Sequence, residues 1–590
     1  MSTPSTNMKR RTFLKYSAAA CAATYLGWGP HLAESFEPAD LVLHNGKVVT
    51  VNATDQISQA VAIRGSDIVA VGPNLLMNPL IGPATQVIDL QGGTVTPGIV
   101  DSHLHPLYYG RQFWPGFTNI RWPVIKSLSD LTSLIAGQAQ TRLAGQWISC
   151  NQGFTFVSGP MEFDKTAIDA VAPDHPVYLR HFSGQYSVVN SEALYVAGID
   201  AAGIGTTPDP FGGKIVRYPG TNEATGVLLH YPAENLVMTK ADGYKDLTPE
   251  VMEADLKLAQ DMLLAAGITS GQDVIVGEPS HLQVYKSLDD RGELKMRMYL
   301  LLYINSEQQA QRYVAQLQGY ESEYLKFAGW KLAIDGGVQA GTSLMYDTSL
   351  YAAHRAYHYY EPEALNRIVR LLHDTGMQIS FHIIGDQGVD EALDALEAAG
   401  AGVISSRHRI EHALFVQPNS LQRLKDLGVV VSTQPQFLDW FGDGYREATD
   451  EAAMANFMRL KTMRQMGIPV AFGCDVPAAQ SHLPRWALAG ATERKTASGR
   501  VLGLDERLDM ATALRTHTMG SAYASFDEDR VGSIEAGKLA DLVVWNKDLL
   551  SLSDPSEVAR LATVMTIVGG KIVAQRAPYG VTLPLVSKGS

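Results

Sequence analysis

Cysteine is scarce in this chain of 590 residues, which has three: Cys21, Cys150 and Cys474. Cys21 lies in the N-terminal leader. The remaining pair is too few for a disulfide framework or a thiolate zinc site, so any metal must be held by nitrogen and oxygen. Charge is also thin, at 18% of residues, with a net charge of −13 and a pI near 5.7. No basic stripe or aromatic-basic interleaving follows a phosphate backbone, so nucleic acid is excluded as the expected partner. No window holds the roughly 18 uninterrupted apolar residues of a membrane span. Internal repeats and low-complexity tracts are missing too. What the chain does have is apolar sequence, 46% of it, enough at this length for a large core and more than one domain.

The N-terminus reads Lys9-Arg10-Arg11-Thr12-Phe13-Leu14-Lys15, followed by an alanine-rich run from Ser17 to Gly29. Residues 1–35 are expected to be a twin-arginine export signal, which puts the mature protein in the periplasm; the alternative is a basic tail on a cytoplasmic protein. Next, Asp40 to Thr50 and Ala60 to Gly72 read as short strands joined by Asn45-Gly46 and Gly65-Ser66-Asp67 turns. The same style returns in Gly532 to Trp545 and Val564 to Val573. Neither end can bury a sheet alone, so residues 36–96 and 530–590 are expected to pair into one discontinuous β-sandwich.

Residues 97–529 alternate short apolar strands with helices. Thr248 can cap a helix whose first turn takes Pro249, whose stripe is Met252, Leu256, Ala259 and Leu263, and which ends at Gly267. Repeated strand-helix units imply a parallel sheet, and about eight of them imply a closed (β/α)8 barrel of the TIM type. Its strands are expected near Val95–Asp101, Val177–His181, Ile268–Asp273, Trp330–Asp335, Gln378–His382, His408–His412, Val429–Gln434 and Val470–Asp475. Two insertions, Pro106–Pro176 with Tyr108, Tyr109, Trp114 and Trp122, and the tyrosine-rich Tyr346–Tyr360, are expected to shape the substrate mouth or to pack between domains.

His103 and His105 stand at i and i+2 after an apolar run, and at a strand end that spacing aims both imidazoles to one side. Further polar groups recur at expected strand ends: Lys331, His382, His412 and Asp475. A lone buried histidine is more often structural. Taken jointly, at the face where barrels place chemistry, the set points to a metal-dependent hydrolase. Glu411 should point away from His412 along the strand and support the site rather than react. His281, His354, His358, His373 and His517 have no such context and are read as surface or structural residues.

Several segments together carry a family resemblance: Pro97 to His105, Val189 to Leu194, Thr225 to Leu229, Arg409-Ile410-Glu411-His412-Ala413, Gln434-Pro435-Gln436-Phe437 and Gly532 to Asp541. The chain resembles the amidohydrolase superfamily, and within it is most similar to the YtcJ-like branch, which also contains N-substituted formamide deformylases. The resemblance implies His103, His105 and Asp475 on a first divalent metal, zinc by expectation, and His382 and His412 on a second. It implies Lys331 as a carboxylated bridge; a free ammonium cannot ligate a cation, whereas a lysine carbamate offers two anionic oxygens. It further implies hydrolysis of a carbon–nitrogen bond other than a peptide bond in a small-molecule substrate by metal-activated hydroxide, with Asp475 as general base and acid, and allows a homodimer.

Two departures bear on substrate. Relatives commonly carry Asp-Gly-His where this chain has Ser183-Gly184-Gln185, and Asp-Gly-Ser where it has Asp335-Gly336-Gly337. The aromatic insertions suggest an apolar or aromatic N-acyl or N-formyl compound; His181 and Tyr108 are candidate oxyanion donors. Deamination of a heterocycle, ester or lactone hydrolysis, and a non-enzymatic scaffold on the same fold stay open as alternatives.

Overall fold

The computed structural model describes residues 37–576 apart from 122, 155–162, 201–205, 318, 339, 347–357, 401, 450 and 553–554. The twin-arginine segment, Trp122 and most of the second tyrosine-rich insertion therefore lie outside the described residues.

Eight parallel strands make the central barrel: β1 (Ile99–Leu104), β2 (Ile268–Val276), β3 (Arg297–Tyr303), β4 (Leu325–Ala333), β5 (Gln378–Ile383), β6 (Arg409–His412), β7 (Val430–Thr433) and β8 (Val470–Phe472). Each pairs with its sequence neighbour in register, for example Lys331 with Ser380 and His382 with Glu411. The seam between β8 and β1 is closed past the strand ends. There Asp475 N–H donates to His103 O at 2.7 Å and His105 N–H to Val476 O at 3.0 Å. Gly473 permits that approach, because a Cβ there would lie 2.5 Å from His103 N. Among the described residues, no helix is long and apolar enough to cross a membrane.

The helix expected after Thr248 runs over Pro249–Ala265, with Thr248 Oγ1 accepting from Val251 N–H. Met252, Leu256, Ala259 and Leu263 are buried in the main core, and Gly267 follows at φ +90°. That φ favours glycine and turns the chain directly into β2.

The two ends of the chain meet in one six-stranded sheet. Thr94–Pro97 pairs antiparallel with Leu542–Trp545, flanked by Lys47–Val49 and Ile57–Ser58 on one side and by Thr563–Val568 and Lys571–Gln575 on the other. A four-stranded sheet, Asp67–Gly72, Ala60–Arg64, Leu41–His44 and Gln86–Asp89, shares its core with the first through Leu43, Val61, Val95, Leu542 and Ile567. The Asn45-Gly46 turn is a crossing between these sheets, not a hairpin, since Leu41–His44 and Lys47–Val49 pair with different partners.

Two expected barrel strands need correction. Val95–Asp101 is two elements, one in the terminal sheet and one in the barrel, separated at Gly98, where a Cβ would lie 2.1 Å from Thr269 Oγ1. Val177–His181 is a strand, but it belongs to an inserted five-stranded mixed sheet ordered Lys214–Arg217, Ala224–Leu229, Tyr186–Val189, Val177–His181, Ile148–Phe154. The true third barrel strand, Arg297–Tyr303, begins with a charged residue, which masks an otherwise apolar run. Arg297 is nevertheless buried, because its Nε and Nη2 donate to Asp541 at 2.8 and 3.0 Å. The inserted sheet buries both faces, one around Ile135, Phe154 and Leu179 and the other around Tyr178, Leu228 and Val237.

Candidate metal centre

The parallel register brings all six sequence-selected residues to one end of the barrel, where they line a single cavity of ≈ 960 Å³ counted to its open mouth. His103 lies on β1 and His105 just past it; Lys331 is on β4, His382 on β5, His412 on β6, and Asp475 three residues after β8. His412 and Asp475 hold left-handed backbones, φ +70° and +56°, unusual for such residues and found where a site dictates the chain direction.

His103, His105 and Asp475 form a buried group whose ligating atoms all lie within 4.8 Å of one another and could hold a metal ion. His105 Nε2 is 3.1 Å and His103 Nε2 3.4 Å from Asp475 Oδ1. An acid stands behind each ring. His103 Nδ1 donates to Glu411 Oε2 at 2.7 Å, and His105 Nδ1 faces Asp273 Oδ1 at 3.8 Å. The bond to Glu411 leaves the His103 Nε2 lone pair turned into the cavity, while the Asp273 carboxylate faces His105 without a hydrogen bond.

The second histidine pair is fixed in the same way. Gly336 O can only accept, so its 3.1 Å contact puts the proton on His382 Nε2 and leaves Nδ1 bare. Gln434 Oε1, 2.7 Å from His412 Nδ1, makes that nitrogen the donor and leaves Nε2 bare. The two bare nitrogens face each other at 2.9 Å. Two lone pairs cannot hydrogen-bond, so a cation drawn against both is the natural complement.

Lys331 is fully buried, and among the described residues its Nζ has no hydrogen-bond partner. Burial lowers its ammonium to about 8, against the upward pull of Glu411 and Asp475. A buried lysine whose ammonium meets no partner is a poor structural residue.

Charge around the cluster is sharply organised. Burial would raise Asp475, but His103, His105 and His412 hold it well below the ordinary carboxylate range. Burial likewise opposes ionisation of Glu411, yet Arg409, His103 and Lys331 keep it anionic. Burial pulls His105 down, and its contacts with Asp273 and Asp475 outweigh it, bringing the ring up to about 9. His412 is lowered to about 3, chiefly by burial and then by His103. Glu411 is the hub beneath the site: Oε1 takes Arg409 Nη2 at 2.7 Å and Ser380 Oγ at 2.6 Å. Strand alternation does not carry it away from His412 as expected: its carboxylate reaches His103, whose ring centroid lies 4.7 Å from that of His412, and the backbone of His412 is left-handed rather than extended.

Sequence reasoning missed Asp273, Gln434 and the Gly336 carbonyl as orienting groups. The first two stand at strand ends, the only hint available; a backbone carbonyl gives no sequence signal. Of the suggested oxyanion donors, Tyr108 lines the cavity. His181 does not: it is buried in the inserted sheet, stacked on Tyr186 with Nδ1 2.8 Å from Ser183 Oγ. Tyr109 is buried, its Oη 2.9 Å from His482 Nδ1, and Trp114 is half-buried, edge-on to Phe117. His517 and His373, left as structural, are both buried away from the cavity.

Fold and site together define a metal-dependent hydrolase of the TIM-barrel class. The chain belongs to the amidohydrolase family, whose profile matches residues 86–574. It is 28% identical to Protein LONG AFTER FAR-RED 3 of Arabidopsis thaliana, over 90% of this chain and 91% of that one. It is 26% identical to the N-substituted formamide deformylase of Arthrobacter pascens, over 91% and 98%. The putative amidohydrolase YtcJ of Bacillus subtilis is also 26% identical, over 91% and 99%. Among solved structures, an uncharacterized metal-dependent hydrolase from Pyrococcus furiosus superposes with a TM-score of 0.65 at 25% identity, covering 87% of this chain and all of that one.

Proposed function

We propose that the protein is a binuclear hydrolase that cleaves an amide-type C–N bond, N-formyl or N-acyl, in a small organic substrate. The observation that carries the reading is Lys331: a buried amine without a hydrogen-bond partner among the described residues, on a cavity that it shares with three histidines, His103, His382 and His412, whose hydrogen bonds each leave one ring nitrogen bare. His103, His105 and Asp475 would hold one divalent cation, His382 and His412 a second, and a carbamate on Lys331 would span them. Nitrogen and oxygen donors of this kind suit zinc. When bound, such a pair supplies Lewis acidity and lowers the pKa of a shared water toward neutrality.

The chain's own groups do the rest. Asp475, kept anionic by its histidines, takes the proton of the attacking water and delivers it to the leaving nitrogen, whose departure as an amine needs that proton. Glu411 keeps His103 in one tautomer and orientation, and the Asp273 carboxylate faces the His105 ring. Tyr108, Tyr231, Tyr303 and Tyr359 line the cavity and give an aromatic or apolar substituent faces to pack against. The name of the Arthrobacter relative supports a C–N target.

The test is a matched panel of N-formyl and N-acyl amines, the corresponding esters, and heterocyclic amines, incubated with zinc-loaded enzyme while formate or acid, amine and ammonia are measured. Release of acid and amine in equal amounts is expected. Turnover of the esters alone, or ammonia from the heterocycles alone, would replace this reading. We further propose that the enzyme works outside the cytoplasm; a reporter fused to residues 1–35 should be exported, and Arg10→Lys with Arg11→Lys should abolish that export.

A further inference from the structure

The cavity has a second polar end that the metal cluster does not use. It is built by the inserted sheet: Gln152 from Ile148–Phe154, Arg180 from Val177–His181, and Gln185 just after it. Outside the six cluster residues, Arg180 is the one charged side chain among the described residues lining the cavity.

Its setting is that of a held receptor group. Glu234, with none of its side chain exposed, sits behind it, Oε1 3.4 Å from Nε and Oε2 3.2 Å from Nη2. Nη2 also donates to Gly184 O at 3.3 Å. Those contacts fix the plane of the guanidinium from its buried side. Nη1 has only Gln152 Oε1, at 3.3 Å, among the described residues, so one of its two N–H groups is left to the cavity. Gln185 is braced in turn, its Oε1 3.2 Å from His230 Nδ1.

We propose that Arg180, with Gln152 and Gln185 beside it, is a carboxylate-recognition subsite, so that the substrate is an amide bearing a carboxylate in addition to its apolar group. A buried arginine is costly, and its fork matches a carboxylate. A pair of carboxylates, Glu234 behind and the substrate's in front, would use the guanidinium fully. A cationic substrate finds no acid on that wall. The proposal rests on the C–N hydrolase reading only for which bond is cut.

The experiment uses the zinc-loaded enzyme and two matched pairs. N-Formylphenylalanine and N-formylphenylalaninamide are compared as substrates by formate release, and 3-phenylpropionate and 3-phenylpropionamide as ligands by calorimetry. The wild type should prefer each carboxylate by about tenfold or more, the scale of one charge-assisted contact. That preference should collapse in Arg180→Met/Glu234→Met, which removes both buried charges together, while metal content stays constant. Arg180→Lys, which keeps the charge but loses the fork, guards against a double variant that fails to fold and should lose most of the preference. A preference that survives in the variants would mean that the carboxylate goes to the metals, and equal binding by the wild type would mean that no subsite exists; either overturns the proposal. If the ligand preference collapses as expected but no formamide is cleaved, the subsite stands and the C–N reading fails.

Discussion

The floor and the far wall of the cavity are built by different rules. On the floor, six side chains come from four barrel strands and the segments just after the first and the last, and His103, His382 and His412 each meet a partner that decides the tautomer. On the wall, Gln152, Arg180 and Gln185 come from one inserted sheet with its own two-faced core. A barrel whose strand ends are locked by the register of neighbouring strands can hold chemistry to a fraction of an ångström. An inserted sheet with cores of its own can be altered on its cavity-facing side chains with less effect on that register. On the proposed reading, reactivity sits on the barrel and selection on the insert, which meet where Arg121 bridges Gln152 O and Pro477 O.

The sharpest way to break that division is Asp475→Asn. The amide keeps the shape and can still lie near a cation but cannot take a proton, so kcat should fall by about 10²–10⁴ with metal content retained, checked by turnover and elemental analysis together. A loss of metal in parallel with turnover would reduce Asp475 to a ligand. Next in size is Glu411→Gln. It frees His103 from its orienting acid and weakens the buried pairing with Arg409. Metal affinity should drop about 10–100-fold, read by competition with a chelator, and the melting temperature should fall as well. Gln185→Leu, on the wall, should be mildest: KM should rise by more than kcat falls, and metal affinity should be untouched. If Gln185→Leu weakened metal binding, floor and wall would not be independent.

The same contrast governs what could be read from sequence. Every residue chosen for the centre, His103, His105, Lys331, His382, His412 and Asp475, lies on the cavity. Their apolar strands end in chemistry, and the i, i+2 spacing of the first pair survives any error in strand bounds. The insert was illegible for a physical reason. Val177 to His181 is a short apolar start ending in Arg180 and His181 before a turn, the same pattern of apolar strand ending in polar groups as a barrel strand; only the antiparallel partner Tyr186–Val189 reveals where it belongs. The opposite error hid Arg297–Tyr303, because nothing local announces that Asp541, 244 residues away, will neutralise Arg297. Arg180 was passed over likewise, its meaning resting on Glu234 behind it. Sequence patterns carry strand ends well and long-range charge pairing poorly.

The central claim is that the floor holds two cations bridged through Lys331. The most direct test is elemental analysis of metal per chain in protein purified without chelator, repeated on Lys331→Ala. The account predicts two equivalents of a zinc-like metal in the wild type and fewer than one in the variant. A single equivalent in both proteins would contradict it.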